Sequence, residues 1–292
     1  MPELPEVEVT RRQIEPLLVG RTIVEVVTTK RSYFFITPPT ALARKLHGRR
    51  MERLERRGKY LIGHFDDESR LLLHLGMTGQ LFGAGVSSPR LLAATVKAAL
   101  APEQQHEGFA PDLHTHLRLR FADRGPDVFF RDTRKFGKVQ LLRADEPSAR
   151  LDKLGTDALA ATGAHLHAAA RKRSAAVKVV LLDQGVLAGV GNIYADEALF
   201  VAGIRPTRAA RRLSAADCER VVQAAKSVML RSIETGGSSI SDYVRPDGSD
   251  GGYQDERRVY AREGEACLHC GTTIRRIVLG ARSSFFCPRC QK

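Results

Sequence analysis

Four cysteines near the carboxyl end constrain this chain more than any other feature. They sit in CLHCGTTIRRIVLGARSSFFCPRC as Cys267, Cys270, Cys287 and Cys290, two C-x-x-C pairs with 16 residues between them. Each pair sets two thiolates on one tight turn, and two such turns close a tetrahedral site of the kind zinc takes. Redox pairing is the competing use of C-x-x-C, but two pairs at this spacing favour zinc. Four protein thiolates leave no open position for water, so the metal is expected to be structural. The segment between the pairs reads as a β-hairpin with LGAR at its tip, and the metal would hold Arg282 on that tip in place. So small a hairpin has too little core to fold alone, and metal binding becomes its folding energy.

The rest of the chain must supply the hydrophobic core. At 292 residues it is long enough for two domains, and 43% hydrophobic residues make it globular. Forty-six Lys and Arg against 33 Asp and Glu give a net charge of +13 and a pI near 9.9. Such a balance points to a polyanion, nucleic acid first and a membrane surface second. No apolar run approaches the roughly 18–20 residues of a spanning helix. The acid-rich start MPELPEVEVT is no signal peptide. A cytosolic chain is expected, which also argues against disulfides. The fifth cysteine, Cys218, shares an apolar helical face with Val221, Val222, Ala225 and Val228 and reads as core.

Along the chain, a first helix begins near Pro5 and ends near Gly20. Short apolar or alternating runs follow, separated by Gly, Asp and Pro: TIVEVVTT, MERLERRGKYLIGHF, SRLLLHLGMTGQLFG, HLRLRFAD and DVFFRDTRKFGKVQLL. They predict a β-rich domain over residues 1–145. The stretch between Leu81 and His114 has helical spacing at Leu91, Leu92, Thr95, Val96 and Leu100, with loop-like flanks. A linker over 146–160 leads to helices near 174–183, 192–202 and 214–234. The helical domain is expected over 161–254, closing with a Gly-, Ser- and Asp-rich loop at 235–254. The zinc segment takes 255–292.

Three further features stay open on residue chemistry alone. In GVLAGVGNIYADEALF a glycine-rich turn leads to Asn192, a candidate cap for a helix starting at Ile193. Such a terminus attracts phosphate, or is an ordinary turn of the core. RKLHGRRMERLERRGKYL carries eight Lys or Arg between Arg44 and Lys59. It is a solvated basic surface, or one on which Lys59, after Gly58, stands at a strand end facing a cleft. Met77 in LHLGMTG and Phe136 in RDTRKFG lie on Gly-flanked turns. They are core, or wedges for a base stack.

Taken in order, PELPEVE, GKYL, HLGMTG, RKFG, GVGNIYADE, GGSSISDYV and CPRCQK resemble the bacterial formamidopyrimidine-DNA glycosylase family. The resemblance implies an α+β multidomain fold. An N-terminal helix and two-layer β-sandwich precede a helix–two-turn–helix domain with a C-terminal four-cysteine zinc finger. It implies a monomeric repair enzyme acting on duplex DNA at the nucleoid. That enzyme removes oxidised purines such as 8-oxoguanine and formamidopyrimidines, then cleaves the abasic site by β,δ-elimination. By the same resemblance the Pro2 amine is the nucleophile, Glu3 the proton donor and Lys59 an aid to β-elimination. Arg282 grips phosphate and serves δ-elimination. His74, His114, Arg173 and Asn192 match DNA-contact positions, while Met77, Arg134 and Phe136 match the residues that fill the gap left by an everted nucleotide. Loop 235–254 matches the segment covering the flipped base. The chain departs from the family in the length of 83–113, in Lys135 for a usual Arg, and in Ala261 for a common Gly.

The chemistry agrees with that resemblance. A base inside a duplex must be flipped out at a cost of a few kcal/mol. Displacement at C1′ needs an amine that is neutral near pH 7 and can form an iminium. An α-amine is roughly 10% neutral there, whereas a free Lys is well under about 0.1%. Two alternatives compete. An endonuclease VIII type, acting on oxidised pyrimidines, would begin PEGPE and lack HLGMTG. A non-catalytic zinc protein on the same scaffold would need neither Pro2 nor Glu3.

Overall fold

The computed structural model describes residues 2–88, 91, 109–240 and 242–292. The helical spacing at Leu92, Thr95, Val96 and Leu100 therefore lies outside the described residues. The chain divides into two compact units, one of 1–148 with 235–252 and one of 149–234 with 253–292.

In the first unit, helix α1 runs from Leu4 to Ile14 and passes into a 3-10 turn over Glu15–Leu17. It stops short of Gly20 because Pro16 has no N–H to continue the ladder. Eight strands follow among the described residues: β1 Ile23–Thr28, β2 Met51–Arg57, β3 Tyr60–Phe65, β4 Arg70–His74, β5 Gly79–Gly83, β6 Thr115–Phe121, β7 Val128–Asp132 and β8 Lys138–Leu142. They pair antiparallel in two sheets, β1-β6-β7-β5 and β2-β3-β4-β8. Side chains alternate across a strand, so each sheet turns one apolar row inward. Leu54, Leu61 and Leu71 of one sheet share a core with Leu81, Leu117 and Phe130 of the other. Helix α2, Pro39–Leu46, closes the core with Leu42 and Leu46. It was not expected from the sequence, where its Arg44 and Lys45 merge into the basic run before β2.

In the second unit α3 is Ala149–Asp152, α4 Gly163–Ala170, α5 Val177–Leu181, α6 Asn192–Val201 and α7 Ala215–Glu234. A short parallel bridge joins β9 Thr156–Asp157 to β10 Leu187–Ala188. Helices α4 and α6 both pack on α7. Ser214 and Asp217 cap α7 reciprocally: the Ser214 amide donates to Asp217 Oδ2 (3.0 Å), and the Asp217 amide to Ser214 Oγ (3.1 Å). Cys218 is buried on its inner face, as the spacing predicts. Helix α4 was missed, and the helix expected over 174–183 is only 5 residues long. No helix among the described residues is long and apolar enough to cross a membrane.

Strands β11 Arg275–Leu279 and β12 Arg282–Phe286 form the expected hairpin. Its two-residue turn, Gly280 and Ala281, has positive φ at both positions (54° and 60°), matching the twist of the strands. A buried ion pair docks it. Lys178 of α5 and Asp196 of α6 are both fully buried and 2.8 Å apart. Lys178 also donates to the Ser283 carbonyl (2.7 Å), and Asp196 accepts from Ser284 Oγ (2.9 Å) and the Phe285 amide (3.0 Å). Burial pushes the Asp196 carboxyl up to about 6, against the pull of Lys178 and the hydrogen bonds. Breaking such a pair on one side strands a buried charge. Asp196→Asn should therefore cost about 3–5 kcal/mol in urea unfolding at pH 7. A loss below about 1 kcal/mol, the range of exposed pairs, would contradict the docking role.

Candidate active site

The first group of candidate residues lies at the start of α1. Pro2 and Glu3 are buried, and Glu3 is the N-cap. A reciprocal capping box fixes it: the Glu3 side chain accepts from the Glu6 amide, while the Glu3 amide donates to Glu6 Oε2 (2.8 Å). Lys59 sits with Gly58 in the two-residue turn between β2 and β3, and is buried. That turn is tied to α1 through Arg56, which donates to Glu8 Oε2 (3.1 Å) and to the Gly58 carbonyl (3.1 Å). Burial would raise the Glu8 carboxyl, but Arg11, Arg12 and Arg56 together hold it below its usual range.

A second group forms around Asp132, a residue that motif reading passed over. It is fully buried at the end of β7. Its carboxylate accepts from Thr78 Oγ1, from the Arg134 amide (3.2 Å) and from the Gly137 amide (2.7 Å). It thereby holds the Met77 turn and the Arg134–Phe136 turn side by side. The approach is close enough to require glycine at Gly76, where a Cβ would stand 2.5 Å from the Phe136 carbonyl carbon and the Gly137 nitrogen. Met77 is half-buried, Arg134 is exposed, and Phe136 is 43% exposed. The Arg134 guanidinium lies over the Phe136 ring at 4.8 Å. An exposed aromatic under a cation is not core, so the core reading of Phe136 falls. His74 ends β4, accepts from the Gly76 amide at Nδ1 (3.0 Å) and packs on Tyr60. Tyr33, also unanticipated, is exposed and donates to the Arg134 carbonyl (2.9 Å). His114 lies at the other side of β7, its carbonyl accepting from the Asp132 amide (2.9 Å).

The loop 235–252 joins the same unit through Glu6. Glu6 Oε1 accepts from the Ser238 amide (2.9 Å), and the Tyr243 hydroxyl donates to the Glu6 carbonyl (3.4 Å). Gln80 on β5 donates to the Asp242 carbonyl (2.7 Å) and is itself held by Arg131 (3.2 Å).

In the second unit, Asn192 is the first residue of α6 and Gly191 is its cap, one position earlier than expected. Asn192 is therefore released from capping duty, and its Nδ2 donates to the Ser283 carbonyl (3.0 Å), beside exposed Arg282. Glu197, fully buried and also missed, accepts from the amides of Arg258, Val259 and Tyr260, each at 2.9 Å. Arg173 is engaged with Asp183 (2.6 Å) and holds that carboxyl below its usual range.

The four cysteine sulfurs lie within 4.8 Å of one another, with Cys267–Cys290 at 3.9 Å and Cys270–Cys287 at 3.5 Å. Tetrahedral zinc–sulfur bonds of about 2.3 Å put sulfurs roughly 3.8 Å apart, so the residues fit the metal. The Cys290 amide donates to Cys287 Sγ (3.4 Å), as a metal knuckle requires.

Residues 1–139 match the formamidopyrimidine-DNA glycosylase N-terminal domain, 154–244 the formamidopyrimidine-DNA glycosylase H2TH domain, and 264–292 a zinc finger found in FPG and IleRS. The formamidopyrimidine-DNA glycosylase of Cupriavidus pinatubonensis is 44% identical over 305 residues, with all of both chains covered. That of Cereibacter sphaeroides is 40% identical over 298 residues, again with full coverage. Among solved structures, the MutM (Fpg) protein of Thermus thermophilus is 35% identical with a TM-score of 0.82, over 99% of this chain and 98% of that one. A Lactococcus lactis Fpg in complex with abasic-site DNA is 31% identical with a TM-score of 0.83, over 99% of each chain.

The zinc-finger match and the sulfur spacing together make the tetrad one structural zinc site. Native protein should carry one zinc per chain. Cys287→Ser should lose most of it and speed hydrogen exchange at the Phe285 amide, since the hairpin's folding energy goes with the metal. Full zinc retention, or unchanged exchange on zinc loss, would contradict this.

Proposed function

Because this chain belongs to the formamidopyrimidine-DNA glycosylase family, we propose that it excises oxidised purines from duplex DNA and cleaves the resulting abasic site. On this reading it acts as a monomer on genomic DNA. The observation that carries the reading is the capped start of α1, where Pro2 and Glu3 are buried side by side and fixed by Glu6.

With Met1 removed, Pro2 carries a terminal secondary amine, and its nitrogen attacks C1′ of the everted nucleotide. A nitrogen–carbon bond forms as the bond to the base breaks. Glu3 protonates the ring oxygen as the sugar opens, leaving an iminium on Pro2. The iminium acidifies the C2′ proton, whose removal expels the 3′ phosphate with help from Lys59. A second elimination releases the 5′ phosphate, with Arg282 stabilising its charge. The positive end of α1 disfavours protonation of the amine, while Glu3 and Glu6 favour it. Met77, Arg134 and Phe136 fill the vacated stack, offsetting part of the flipping cost. Loop 235–254 covers the extruded base. His74, His114, Arg173 and Asn192 contact the backbone phosphates, with Arg173 exchanging Asp183 for a phosphate. The zinc is structural and takes no part in the bond changes.

A panel of duplexes, each with one defined lesion, tests the reading. The protein should release 8-oxoguanine or a formamidopyrimidine and nick the strand. Glu3→Gln should bind the same duplex within about threefold yet lose at least about 100-fold in base release, the usual scale for a removed acid. Preferential release of oxidised pyrimidines would favour the endonuclease VIII alternative. Release of no base would sink both.

A further inference from the structure

The two described ends of the connection between β5 and β6 converge. The Phe109 amide donates to the Val86 carbonyl (2.8 Å), so the chain leaves and returns at one point. Both ends bear on loop 235–252. Val86 and Phe109 pack against a buried cluster of Phe82, Leu91, Phe129 and Val244, of which Val244 belongs to that loop. Phe109 meets Phe82 edge-on at 4.7 Å and Phe129 at 5.8 Å. The loop also turns at Gly248, with φ of +87°, directly against the Ser87 carbonyl; a Cβ there would collide with it. Within the loop, the Arg245 amide donates to the Ser249 carbonyl (3.0 Å) and the Gly248 amide to the Arg245 carbonyl (2.8 Å). The loop's first half is held by Glu6 through Ser238, and its second half is held here.

We propose that the converging ends of this connection, Val86–Ser87 and Phe109, brace the second half of loop 235–252 and so act as positioning residues for recognition of the extruded base. This rests on the reading that the loop covers that base. A loop held in its working position only part of the time lowers apparent affinity in proportion. Packing energy from the sandwich face would remove that loss. An abasic site has no base to cover, so strand cleavage at a preformed abasic site does not draw on the brace.

The test uses the full-length protein with Phe109→Ala, Val244→Ala, their double variant and Phe109→Leu. Both alanine variants should slow excision of 8-oxoguanine by about five- to tenfold, because each empties apolar volume from the one cluster that holds the loop. Nicking of a preformed abasic duplex should change by less than about twofold. The double variant should be little worse than the poorer single one, since both remove one shared contact, and Phe109→Leu should restore most of the excision rate. Hydrogen exchange should quicken at the Arg245, Gly248 and Gly251 amides and stay unchanged in β6 and β7. Equal losses on both substrates, exchange rising equally through the sandwich, or no change in any readout would each overturn the proposal. If the unaltered protein excises no purine, the functional reading fails instead, and the exchange contrast still decides whether the brace exists.

Discussion

One buried carboxylate, that of Glu6, organises the start of α1 in the first unit. It receives the Glu3 amide at 2.8 Å and the Ser238 amide at 2.9 Å, so a single side chain fixes the helix start and the loop 232 residues away. Hydrogen bonds from amides to an ionised carboxylate are about twice as strong as neutral ones, and removing the acceptor leaves two buried donors unsatisfied. Glu8, two residues on, performs the matching task for the Lys59 turn through Arg56. The residues proposed to make and break bonds are thus positioned by groups given no part in the bond changes.

The same device recurs. Asp132 gathers the turns carrying Met77 and Phe136, Asp196 docks the zinc hairpin, and Glu197 collects three successive amides at 258–260. Each is buried, in a chain whose net charge is +13. These acids act inside, holding turns, loops and the edge of the zinc hairpin, and the surplus cations are left for the surface. Irregular segments cannot satisfy their own amides, so a basic protein that works through turns and loops needs internal acceptors.

What could be read from the sequence were features in which local spacing is itself the chemistry. The C-x-x-C pairs, the helix start at Pro5 and the alternating strands all carry their meaning within a few residues. The tip sequence LGAR announced the hairpin turn for the same reason. Asp132, Glu6 and Glu197 could not be read, because each owes its role to amides supplied by distant or irregular segments. Helix α2 was hidden by the basic run that overlaps it. Asn192 was misassigned by one position: Gly191, with extended backbone, takes the cap at a cost of only about a few tenths of a kcal/mol relative to Asn, and the Asn192 side chain bonds Ser283 instead. Phe136 was ambiguous until its exposure and the cation over its ring were visible.

The central claim is that the nitrogen of Pro2 makes the covalent bond to the sugar. Borohydride reduction during turnover on a lesion duplex, followed by peptide mapping of the cross-linked protein, tests it most directly. The account predicts an adduct on the nitrogen of a peptide that begins at Pro2. An adduct on Lys59 would contradict it and leave Pro2 as no more than the residue before a helix cap.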